Sequence, residues 1–195
     1  MITDIQSKRA LAIDAAILLV QKYGYEKFRL SDVAKQIGVS HAALYKYFSS
    51  KEDLLDSINE RWIHQIDQAI EAIVDSEADA ESKIKSWALT LHGMKHEKVL
   101  SDIESFETLI ASSYKDRPFI VNHLKLQDNF IEKMVHQAIN EGVFKNEQAY
   151  IVTALKTAMM PFHHPVIVLQ NAKTDRVPEI DYLLDALFTG FKPGK

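Results

Sequence analysis

The 195 residues hold eight histidines and no cysteine, so any chemistry must run through imidazoles, carboxylates and basic side chains. His92 and His96 stand four apart in a segment of helical periodicity, a spacing that lets two imidazoles chelate one metal ion, and His163-His164 could supply another ligand. No cysteine or carboxylate is arranged to complete such a set, and surface or capping histidines are the alternative. A carboxylate-bridged metal pair in a helical bundle requires Glu-x-x-His. Here Glu60 precedes His64, and Glu132 precedes His136, by four residues. H-E-x-x-H, G-x-S-x-G and a phosphate-cradling glycine loop are all absent. The expectation is a chain that is not an enzyme and needs no metal or cofactor.

The basic residues make a sharper pattern. Net charge is -4, yet from Lys27 to Lys51 five bases (Lys27, Arg29, Lys35, Lys46, Lys51) face one acid, Asp32. A local positive patch on an acidic chain is the footprint of a nucleic-acid contact. The lack of cysteine fits a reducing compartment. The N-terminus carries no charged segment followed by an apolar core, and no stretch approaches the ~20 apolar residues of a membrane span. A soluble, cytoplasmic protein with no membrane partner is expected.

The elements that must position these residues are helices. Apolar residues recur three or four apart along nearly the whole chain, and no β-branched alternation suggests a sheet, so the fold class is all-α with about nine helices. The first is expected over Ser7 to Tyr23, with Leu11, Ala15, Leu18 and Leu19 on one face and Gly24 as its C-terminal cap. Short helices over Leu30–Ile37 and His41–Phe48 flank a Gly38-Val39-Ser40 turn. A long helix runs from the Ser50-Lys51-Glu52-Asp53 cap to Val74. Further helices are placed at Glu81–His96, Lys98–Lys115, Pro118–Glu141, Glu147–Lys173 and Pro178–Phe191. Pro161 and Pro165 should kink or split the penultimate one.

The stretch LSDVAKQIGVSHAALYKYFSSKEDLL meets several independent geometric demands. Two helices crossing at a tight turn need a small side chain at the crossing, met by Ala34, and a residue tolerant of positive φ four positions on, met by Gly38. Val33, Ile37, Val39, Leu44 and Phe48 then face inward. His41, Ala42, Ala43, Tyr45, Lys46 and Tyr47 are left outside, and Ser40 can cap the second helix. A helix of about eight residues cannot stand alone in water, but held by others its N-terminus suits a DNA major groove. The alternative is an ordinary helical hairpin, which needs neither exposed aromatics nor local positive charge.

Asp32-Val33-Ala34, Gly38-Val39-Ser40, Leu44-Tyr45-Lys46-Tyr47-Phe48 and Lys51-Glu52-Asp53-Leu54-Leu55, with Gly24-Tyr25 upstream, resemble the helix-turn-helix signature of the tetracycline-repressor (TetR) family. The resemblance is specific over roughly the first 55 residues and architectural beyond them. It implies that His41, Ala42, Ala43 and Tyr45 meet bases, and that Tyr47 and Lys51 meet phosphates. Ser40 and Lys46 complete the expected DNA-facing set. Alanine methyls can at most pack on thymine methyls, so direct base reading is sparse and shape readout gains weight. Arg29 stands where the family commonly has a capping threonine; it cannot accept the capping hydrogen bond, but it can grip phosphate or enter a minor groove.

Residues 1–50 are thus expected to be the DNA-binding domain and 51–195 a ligand-sensing and dimerisation domain, with 51–74 the connecting helix. Stripes at Val152, Leu155, Ala158 and Met159 and at Ile180, Leu183, Leu184 and Leu187 could form a four-helix bundle with a second copy, or be buried within one subunit. The resemblance favours a homodimer. Trp87, Leu91, Met94, Phe106, Ile110, Phe130, Met134, Met159 and Phe162 could line an apolar cavity for a small-molecule inducer, or be plain core. The function implied is a ligand-responsive regulator, a repressor binding a near-palindromic double-stranded operator. The rivals are a helical adaptor that does not bind DNA and a helical metal-binding protein.

Overall fold

Helical periodicity is realised as ten α-helices in the structure, a computed structural model describing residues 2–194: α1 (Ile2–Tyr23), α2 (Leu30–Gln36), α3 (His41–Leu44), α4 (Lys51–Val74), α5 (Ala80–Ser101), α6 (Ile103–Ser113), α7 (Pro118–Asn140), α8 (Gln148–His163), α9 (Pro165–Gln170) and α10 (Val177–Phe191). No strand occurs among the described residues, and no helix there is long and apolar enough to cross a membrane. The chain divides into two compact units. One comprises the chain up to Ile63 together with Asp102–Ile120; the other comprises His64–Ser101 and the chain from Val121 onward.

In the first unit, small residues on α1 let other helices approach closely. Ala12, Ala15 and Ala16 are at most 4% exposed, and Phe28, Leu44, Phe48 and Leu54 fill the space around them. The expected inward face of α1 is therefore corrected: Leu11 and Leu18 are 52% and 57% exposed, while Ala12, Ile13, Ala16 and Val20 carry the packing. Gly24 and Gly38 hold φ of +80° and +69°, conformations that cost a side-chain-bearing residue dearly. At Gly38 the bonds from Val39 N–H to Ala34 O (2.9 Å) and from Gly38 N–H to Lys35 O (3.3 Å) close α2 as a Schellman turn.

α1 begins at Ile2, ahead of the expected Ser7, and two further boundaries differ from expectation for local reasons. α3 ends at Leu44 rather than Phe48, because Lys46 and Tyr47 bond back three residues, to Ala43 O and Leu44 O, winding the last turn more tightly. The break expected near His96 falls at Asp102, whose carboxylate accepts the Ser105 N–H at 3.2 Å and starts α6.

In the second unit, Trp87, Phe130, Met134, Met159 and Phe162 are at most 4% exposed. Phe144, Phe188 and Phe191 form a further aromatic cluster, with centroids 5.5 and 5.4 Å from Phe144. Of the two prolines, Pro161 stays inside α8, and Pro165 splits the segment by opening α9. The residue before a proline is driven to extended backbone, and His164 sits at φ −71°, ψ 122°.

Candidate functional site

The DNA-facing candidates are organised by caps and by core. Ser40 Oγ accepts the Ala43 N–H at 3.1 Å and so fixes the start of α3; this use as acceptor leaves the hydroxyl proton to donate elsewhere. Leu44 and Phe48, 0% and 1% exposed, pin the other side of the segment. That leaves His41, Ala42, Tyr45 and Lys46 exposed, and Ala43 and Tyr47 half-buried. The His41 and Tyr45 rings meet edge to face at 5.2 Å, so the two polar groups on this helix present one joined surface. Arg29, at the N-cap of α2, is extended (φ −124°, ψ 147°), exposed, and makes no side-chain cap bond. Its guanidinium is not spent on its own helix. Arg29, His41, Tyr45 and Lys51 line one concavity of about 610 Å³, together with residues of the 26–31 segment.

Lys51 has a role that the sequence did not signal. Its Nζ donates to Glu26 O at 2.9 Å and lies 4.6 Å from the Phe28 ring centroid, which clamps the loop that carries Arg29. Partial burial lowers its pKa, against a smaller opposing pull from Glu26. The helix behind it is doubly capped: Ser50 Oγ accepts the Asp53 N–H at 3.1 Å, and Asp53 Oδ2 accepts the Ser49 N–H at 2.7 Å.

Within the same unit a polar lattice joins α6 and the segment after it to the first half of α4. Glu52 pairs with Lys115 and with Arg117 (2.8 Å), and Arg117 also pairs with Asp56 at 3.0 Å. Asp56 accepts from Ser112 Oγ at 2.9 Å, and Asn59 links Ser112 to Thr108. Phe106 packs edge-on to Trp62 at 6.0 Å. Of the expected pocket residues, Phe106 and Ile110 thus belong to this unit. Trp87, Leu91, Met94, Phe130, Met134, Met159 and Phe162 belong to the other, where all but the half-buried Met94 are buried.

The second unit's interior is unexpectedly polar. Asp67 Oδ1 receives His123 Nδ1 (2.6 Å) and Gln127 Nε2 (3.1 Å), and Gln127 Oε1 receives Trp87 Nε1 (3.1 Å). α5 side chains also reach the end of α8, where carbonyls lack helical donors. His92 Nδ1 lies 2.9 Å from Phe162 O, and Lys95 Nζ donates to His163 O at 2.7 Å. His163 Nε2 in turn donates to Ala88 O at 3.0 Å. Burial, reinforced by the Lys95 charge, pushes the His163 imidazole down to about 3, and burial pushes Lys95 down to about 8.

Residues 12–58 match the family model described as bacterial regulatory proteins, tetR family, and residues 80–183 match the tetracyclin repressor-like C-terminal domain. The chain belongs to the TetR family. Among TetR relatives, the fatty acid metabolism regulator protein of Bacillus subtilis is 26% identical over 137 residues, covering 67% of this chain and 70% of the relative. The HTH-type transcriptional repressor KstR2 of Mycobacterium tuberculosis is 22% identical over 142 residues, covering 72% and 71%. The crystal structure of the regulator FadR from Bacillus subtilis in complex with stearoyl-CoA superposes with a TM-score of 0.65 at 23% identity, covering 93% of this chain and 98% of that one. A TetR/AcrR-family regulator from Thermobifida fusca gives 0.68 at 17% identity, covering 96% and 100%.

This TetR chain is therefore a transcriptional regulator rather than an enzyme. Its α8 and α10 stripes divide. Leu155, Ile180 and Leu184 are 0% exposed, as is Met159, and belong to the chain's own core. Val152, Ala158, Leu183 and Leu187 are half-buried, while Tyr150, Met160, Val177 and Tyr182 stand out from the same helices. Among the described residues no group of three histidines, aspartates or glutamates could hold a metal ion. The stacked His92 and His96 rings direct one nitrogen each to the Phe162 and Ala172 carbonyls.

Proposed function

We propose that this TetR-family chain is a cytoplasmic repressor that binds a near-palindromic operator as a homodimer and lets go of it when an acyl ligand, such as a long-chain acyl-CoA, enters its sensing domain. The observation that carries the DNA half is the convergence of Arg29, His41, Tyr45 and Lys51 on one concavity beside α3. In this reading residues 1–50 are the DNA-binding domain, 51–74 the connecting helix and 51–195 the sensing and dimerising domain. His41 and Tyr45 read base edges, and Ala42 and Ala43 supply methyl contacts. Arg29, Lys46 and Tyr47 grip phosphates, with Ser40 holding the helix start and Lys51 holding the Arg29 loop. An exposed α8–α10 face sets two readers about one helical turn of DNA apart.

The acyl half is supported by the buried apolar side chains of Met134, Met159 and Phe162 and by the relative solved with stearoyl-CoA. Selection of bound sites from random DNA tests the first half, and an enriched palindrome is expected. Fluorescence anisotropy of that site with palmitoyl-CoA added tests the second. Enrichment without two-fold symmetry would overturn the dimeric reading.

A further inference from the structure

Two lysines lie inside the second unit, Lys83 and Lys95, 6% and 8% exposed. Lys83 is accounted for: its Nζ donates to Val74 O at 2.8 Å and Gln137 Oε1 at 3.0 Å, placing a cation where the α4 carbonyls end. Lys95 is not. An ammonium has three N–H donors, and one of them is used, on His163 O. Asp67 is the carboxylate whose charge favours its protonated form, yet the two do not pair, and the Asp67 Oδ1 oxygen is taken by His123 and Gln127. Withdrawing a charged amine from water is costly unless acceptors surround it, and a desolvated donor left unspent calls for a specific explanation.

The surroundings say what kind of acceptor those N–H groups suit. One turn before Lys95 on α5 stands Leu91, 3% exposed, and the α8 end that supplies the His163 carbonyl brings Met159 and Phe162, 0% and 4% exposed. Capping of α8 explains one of the three ammonium N–H groups and not the other two. An apolar chain carrying an oxygen at its end matches both features. The oxygen accepts from Lys95, and the chain displaces flexible methionine side chains that repack at low cost.

We propose that Lys95 anchors the oxygen-bearing head of an acyl ligand, a carbonyl or carboxylate at the end of an apolar chain, inside the second unit. This rests on the acyl-responsive reading above. A charge-assisted hydrogen bond in a desolvated site is worth roughly ten- to hundredfold in affinity.

The test uses the full chain, its selected operator, and palmitate and palmitoyl-CoA as probes, with calorimetry for binding and anisotropy for operator release. Lys95→Met is expected to hold the operator within about twofold of wild type while needing at least tenfold more probe, and Lys95→Arg is expected to recover most of that loss. Lys83→Met, the control, should lower thermal stability without changing probe affinity. A response to palmitate identifies a carboxylate head and a response to palmitoyl-CoA alone a thioester; either supports the shared chemistry. Lys95→Met answering at the wild-type probe concentration overturns the assignment of Lys95 alone. Wild type that binds operator but neither probe overturns the acyl reading itself. Should Lys95→Met not fold, the ammonium resonance of Lys95 in wild type reads the contact by NMR, and a resonance unmoved by bound probe overturns the proposal.

Discussion

Lowering the pH from 7.5 to 5 should destabilise this protein chiefly through one imidazole, that of His163. The His163 ring packs edge-on to Trp87 at 5.0 Å and donates through Nε2 to Ala88 O. Burial first, then the Lys95 charge, depress it from 6.5 to about 3. A depressed pKa means that the unfolded chain takes up a proton before the folded one, so stability is present above pH 6.5 and is lost progressively as pH falls toward 3. At about 1.4 kcal/mol per unit, the 1.5 units between 6.5 and 5 amount to about 2 kcal/mol. His92, also depressed by burial, adds in the same direction. The exposed carboxylates of Glu52 and Asp79, held low by Lys115 and by Ser82 respectively, stay ionised through this window and leave it to the histidines. Urea unfolding followed by circular dichroism at pH 7.5, 6.5, 5.8 and 5 measures the slope. Replacing the imidazole in His163→Gln keeps a donor for Ala88 O and should remove most of it. A flat wild-type profile, or a variant that retains the whole slope, would refute the reasoning.

At the DNA-reading end, Arg29→Ala should weaken binding to every sequence alike and reduce the slope of log affinity against log salt by about one, as loss of a single phosphate contact does; titrations across a salt series check this, and an unchanged slope counts against a phosphate role. His41→Ala should shift sequence preference more than general affinity, and equal losses on selected and random DNA would sink that assignment. Gly38→Ala adds a Cβ that meets nothing within 4 Å, so its cost is that of the +69° backbone alone, about 1 kcal/mol. Gly24→Ala should cost about the same, because φ is +80° and the new Cβ, 2.9 Å from Glu104 Oε2, meets only the movable end of a flexible side chain; thermal melts of the two variants check this, and a clearly larger loss at Gly24 counts against it.

The helix-turn-helix was legible because its demands are local. Gly24 and Gly38 adopt the positive φ that their positions require, and Ser40 caps α3 as its place before His41 implied. Arg29 makes no side-chain cap bond, as its chemistry dictates. On α1, apolar character does not by itself mark the buried face. Close helix contact selects Ala12 and Ala16, and leaves the larger Leu11 and Leu18 outside. The α5–α6 border has no local signature: Asp102 is one more polar residue in the sequence, and its capping role exists only through the bond it accepts from Ser105 N–H. Lys95 left no local trace at all. A lysine on a helix is assumed to reach water, and what holds this one inside is a carbonyl 68 residues away.

That contrast bears on how sequence discrimination arises at the reader. Two of the four residues opening α3 are alanines, and its polar pair, His41 and Tyr45, is tied ring to ring, so few independent hydrogen bonds to base edges are on offer. Lys51, expected at a phosphate, spends its ammonium on Glu26 O and the Phe28 ring. Under the proposed function its contribution to DNA binding would pass through the loop it fixes, and hence through Arg29. Removing Lys51 should then reproduce the uniform loss of affinity of the Arg29 variant without altering base preference. On the proposed function, discrimination would then fall to the His41–Tyr45 surface and to the shape of the groove that Arg29 meets, tying specificity to the geometry of the 25–29 loop as much as to the recognition helix itself.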